Sequence, residues 1–185
     1  MPKNVWFIGT ANQDETTHGF ADKTHDRAFV LDLPRWESTD KNPTRPKKGT
    51  TWSFSSLTAQ FDAVCEKFSP QVDDLMGFIN ASKLTKTLAD DFKLGWGNRL
   101  ERQLKRFVPV VIEAGGNEAL AVDHLLQSRM FRDGKVVGRH NVQVDDLNRI
   151  QDDLQEMWND CELEGEPTRC LKAIALDINR LERGG

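Results

Sequence analysis

Two short apolar runs near the N-terminus, Val5–Ile8 (VWFI) and Phe29–Leu33 (FVLDL), are separated by about twenty mostly polar residues. That separation limits what the first part of the chain can build. Each run reads as a buried strand, the first followed by Gly9 and the second stopped by Pro34. A hairpin would leave a long polar connection to satisfy. Strands buried on both faces, as in a parallel sheet, show continuous apolar runs of this kind. The polar loop, with Asn12, Asp14, Asp22, Lys23, Asp26 and Arg27, would then gather at one edge of such a sheet.

Beyond residue 52 the pattern changes to helical spacing. Ser53, Ser55 and Ser56 are candidate N-caps for a helix with Leu57, Phe61, Val64 and Phe68 on one side, and Pro70 is expected to stop it. A second helix from about Val72 has Leu75, Phe78, Ile79, Leu84 and Leu88 on its apolar side, with an interruption at Asn80–Ser82. Gly95, Gly97 and Asn98 mark a turn, after which Leu100, Leu104, Phe107 and Val108 begin a helix that Pro109 should kink. Asn117 caps the next helix, with Leu120, Leu125 and Met130 on its apolar side. Arg132–Val144 reads as a small hairpin or an extended loop around Asp133-Gly134. Asp145 or Asp146 then caps a helix bearing Leu147, Ile150, Leu154 and Trp158. Gly165 and Pro167 separate it from a last helix with Leu171, Ile174, Ile178 and Leu181. The chain of 185 residues is long enough for one or two small domains.

The net charge of −4 argues against nucleic-acid binding by bulk electrostatics. There is no apolar run long enough to span a membrane and no secretory signal pattern. Cys65, Cys161 and Cys170 are an odd set without metal spacing, and are expected to be reduced thiols in a cytoplasmic protein. His18, Asp22, His25 and Asp26 cluster in sequence but fit no metal-ligand spacing, so no metal site is expected. The acid pairs at 73–74, 90–91, 145–146 and 152–153 read mostly as helix caps or exposed faces.

The stretch Ile8-Gly9-Thr10-Ala11-Asn12, followed by Asp26-Arg27-Ala28-Phe29 and a strand ending at Pro34, resembles part of an AAA+ ATPase. It is most similar to the McrB-like restriction ATPases. The resemblance implies that Asn12 is sensor 1 and Arg27 is an arginine finger offered to a neighbouring subunit. Gly97-Asn98-Arg99 is similar to the sensor 2 motif at the start of a lid helix, with Arg102 one turn on as the fallback. An arginine in a helix's first turn can reach phosphate beside the terminal N–H groups. No G-x-x-x-x-G-K-[ST] occurs, and no apolar run ending in Asp-Glu precedes Asn12. The phosphate cradle and magnesium ligand are therefore expected on a missing Walker-containing half.

The expected fold is mainly α: a helical AAA+ lid with a short β remnant of the α/β core. Residues 1–35 would be core strands, 36–55 a linker, and 56–185 the lid and C-terminal helices. In the intact protein the family implies ATP or GTP with Mg2+, a homo-oligomeric ring, and by analogy a nuclease or DNA partner. The chain alone is expected to hold no nucleotide and to hydrolyse none. An alternative is a stand-alone helical interaction module. The segment 36–52, with Lys41, Arg45, Lys47 and Lys48 between Trp36 and Trp52, would then contact a protein or nucleic acid, although such charge runs usually form a solvated connector.

Overall fold

The computed structural model describes residues 5–10, 28–31, 51–132, 134–138 and 141–184. Among them are seven helices and no strand. The helices are α1 (Phe54–Lys67), α2 (Ser69–Ala81), α3 (Lys83–Asp90), α4 (Asn98–Glu113), α5 (Glu118–Arg129), α6 (Val144–Asp160) and α7 (Thr168–Gly184). The chain divides into two units, Met1–Gln60 and Phe61–Gly185. No helix among the described residues is long and apolar enough to cross a membrane.

In the first unit, residues 5–10 and 28–31 carry no regular secondary structure. Val5, Trp6, Phe7 and Ile8 are exposed, as are Phe29 and Leu31. The buried strands expected over Val5–Ile8 and Phe29–Leu33 are thus not formed at their described positions. An extended apolar segment needs a neighbouring strand for its backbone groups and a cover for its side chains. Among the described residues there is no such strand. The Trp6 ring lies against that of Phe54, with centroids 5.7 Å apart.

Local chemistry explains where each helix begins and ends. The Ser53 hydroxyl accepts from the Ser56 N–H at 3.0 Å and so caps α1. Pro70 does not merely end a helix. It occupies the first turn of α2, where its missing N–H costs nothing. Ser82 separates α2 from α3 and serves both, donating to Ile79 O at 2.7 Å and accepting from Thr85 N at 3.2 Å. α4 continues through Pro109 and closes in a paired-glycine stop. Gly115 N and Gly116 N donate back to Ile112 O and Val111 O at 3.0 and 2.9 Å, and Gly115 has φ +90°. A β-carbon on Gly116 would lie 2.7 Å from Val111 Cγ1.

Asn117 caps α5 as expected, its side chain accepting from Leu120 N at 2.8 Å. The cap of α6 is Gln143, not Asp145 or Asp146. The Asp146 carboxylate instead accepts from Gln143 N at 3.0 Å, the third-residue half of a capping box. The small hairpin or extended loop expected over Arg132–Val144 is a compact turn at its described positions. Gly138 N returns to Gly134 O at 2.8 Å, and Val136 is buried.

The core of the second unit lies between α2 and α7. α4 packs on α2 and α5, α6 on α3 and α7, and α5 on α7. Ile79, Leu84, Leu104, Leu126, Ile150 and Leu154 are among its fully buried side chains. α5 is buried almost all round, with Asp123, His124, Ser128 and Arg129 among its buried residues, which suits its central place. Phe78 and Leu120, expected on apolar faces, are instead more than half exposed, at 55% and 51%. α1 has no buried residue, although Leu57, Phe61, Val64 and Phe68 fall on one stripe.

Candidate functional site

The sequence places one group of candidate residues inside the second unit, at the start of α4. The loop leading there is fixed by two buried anchors, Phe92 and Leu94. Leu94 N donates to Leu88 O at 2.8 Å, which holds the loop to the end of α3. Trp96 is half-buried. Gly97 is the N-cap, in an extended conformation, and α4 begins at Asn98, two residues before the start that the apolar spacing predicts. A glycine cap contributes no side-chain acceptor, so the first-turn N–H groups of α4 have no side-chain cap. The positive end of the helix dipole is directed at the same place.

Arg99 is exposed on this first turn and Arg102 is exposed one turn on. Helical spacing sets them about 60° apart around the axis, on one face. Arg102 Nε donates to Asn98 O at 3.0 Å, so Arg102 is turned along its own helix. Glu101, on another side, accepts from Asn80 Nδ2 at 3.4 Å. Lys105 is engaged with Asp73 at 2.6 Å. That hydrogen bond raises the Lys105 ammonium above its ordinary value and lowers the Asp73 carboxyl. Arg99 stands at the second position of α4, exposed, near the positive end of the helix.

Asn12, Arg27, Lys41, Arg45, Lys47 and Lys48 lie outside the described residues, as do His18, Asp22, His25 and Asp26. Arg99 and Arg102 are therefore the candidates whose surroundings are described.

A shallow groove of about 320 Å3 lies elsewhere, between α1, α2 and α4. Cys65, Glu66, Val72, Asp73, Lys105 and Arg106 line it. Two acids face two bases there, so no single charge is favoured. Arg99 and Arg102 are not among its lining residues.

Three buried carboxylates escape the sequence reading, and each holds elements together. Asp123 on α5 accepts from Arg169 N and Cys170 N at 2.9 and 3.0 Å, which caps α7 from a neighbouring helix. Asp153 on α6, expected with Asp152 to be a cap or an exposed acid, is 0% exposed. It accepts from Thr87 Oγ1 at 2.7 Å and pairs with Lys83 Nζ at 2.7 Å, tying α6 to α3. The same hydrogen bond raises the Lys83 ammonium above its ordinary value. Asp177 on α7 accepts from Gly134 N at 3.4 Å, and burial pushes its carboxyl up. Of the three, Asp123 alone left a trace in the sequence: with His124 it interrupts an apolar run in α5 (ALAVDHLL).

The thiols of α6 and α7 are not activated. Burial raises Cys161 to about 11 and pushes Cys170 well above its ordinary value.

These features define a mainly α-helical protein with an arginine at an open helix N-terminus. No family model, curated protein or solved structure matches the chain.

Proposed function

We propose that this chain is the sensor and lid region of an AAA+ nucleoside triphosphatase. The observation that carries the reading is the order Asn12, Arg27, Arg99, each in a local pattern similar to that family, with Arg99 exposed on the first turn of α4. In the intact machine a Walker-containing half supplies the phosphate cradle and the Mg2+ ligand. Asn12 orients the attacking water at the γ-phosphate of ATP or GTP. Arg27 stabilises transferring charge in the next subunit of a homo-oligomeric ring. Arg99 couples nucleotide state to movement of the helical unit, and Arg102, one turn on, is the fallback. Val5–Ile8 and Phe29–Leu33 pair with strands of the other half, which accounts for the exposure of Val5, Trp6, Phe7, Ile8, Phe29 and Leu31.

Joining the chain to its Walker-containing half and measuring nucleotide turnover tests the reading. Arg27→Ala is expected to lose about 1,000-fold or more, the range for arginine fingers. Unchanged turnover would remove the finger assignment. Arg99→Ala is expected to lower turnover without dissociating the complex.

A second reading, a helical interaction module, is favoured by Trp52, which is 54% exposed beside the basic segment 41–48. It calls for salt-dependent binding to single-stranded DNA that survives Arg99→Ala but not Lys47→Ala with Lys48→Ala. Absence of binding at low salt excludes the nucleic-acid form of this reading.

A further inference from the structure

We draw no further inference here: the strongest candidate, the apolar side of α1 left exposed at Phe61, carries nothing because nothing in the structure shows what covers it.

Discussion

Replacing Asp123 by alanine should be among the most damaging single substitutions in the helical unit. Asp123 is 5% exposed, and its two carboxylate oxygens accept from Cys170 N and Arg169 N at 3.0 and 2.9 Å. Alanine removes both acceptors at once. The Cys170 N–H is left in a buried position and the Arg169 N–H in a partly buried one. An unsatisfied buried donor costs about 1–3 kcal/mol, and loss of a helix cap about 0.5–2 kcal/mol. These overlap, because the stranded donors are the lost cap. We expect about 3 kcal/mol for Asp123→Ala on that basis. Asp123→Asn retains one acceptor oxygen and should cost roughly half as much. With an m-value of about 2 kcal/mol/M, the alanine variant should lose about 1.5 M in urea midpoint with m unchanged. Hydrogen exchange at the Arg169 and Cys170 amides gives the local readout. Both should exchange faster in Asp123→Ala even where the unit remains folded. A midpoint within about 0.3 M of the parent would refute the assignment of Asp123 as the cap of α7.

Other consequences follow from particular side chains. Glu162 has φ +51° just past the end of α6, where Glu162 N and Leu163 N return to Asn159 O and Trp158 O at 2.9 and 3.1 Å. Glycine is free of strain in that conformation, so Glu162→Gly should stabilise by roughly 0.5–1 kcal/mol, read as a higher midpoint; a lower one contradicts this. Asp177 has a raised folded-state pKa, so its contribution is present below the ordinary value of 3.8 and is lost as pH rises through the folded value. Asp177→Asn, which stays neutral and can still accept from Gly134 N, should therefore melt higher than the parent at pH 7 and level with it in acid. A difference that does not change with pH would contradict the burial argument. Cys161 should alkylate slowly near neutrality and faster with each pH unit toward about 11, whereas Cys170, 0% exposed, should label only on unfolding. Mass spectrometry of iodoacetamide-treated native protein reads both, and rapid labelling of Cys170 would contradict the fold around Asp123.

The helical unit was largely legible because its boundary signals are local. Ser53 and Asn117 act on neighbours within a few residues, and the stripes Leu147–Ile150–Leu154–Trp158 and Leu100–Leu104–Val108 are buried as their spacing requires. Pro70 and Gln143 misled for a local reason too. Proline ends one helix and suits the first turn of the next, and glutamine competes poorly with neighbouring aspartates as an expected cap. The buried carboxylates were not legible. Asp123 finds its donors at Arg169 and Cys170, and Asp153 finds Thr87 and Lys83, so the adjacent sequence names the partners of neither, and for Asp153 it gives no sign of burial. Asp153 even sits in an acid pair that reads as solvent-facing. The apolar runs at Val5–Ile8 and Phe29–Leu33 failed in the opposite sense. Their composition is that of a strand, but a strand requires a partner edge, which composition does not supply. Of the candidate site, the open N-terminus of α4 was legible from Gly97 and Arg99. The turning of Arg102 onto Asn98 O was not, because a rotamer choice leaves no sequence trace.

The central claim is that Asn12, Arg27 and Arg99 serve a nucleotide cradle carried by another polypeptide segment. The most direct measurement is to sequence the DNA immediately upstream of the Met1 codon. The account predicts a coding region with G-x-x-x-x-G-K-[ST], followed by an apolar strand ending in acidic residues, in frame or as an adjoining gene. Upstream DNA that encodes no such segment would contradict the account, and the basic segment at 41–48 would then be the place to look for function.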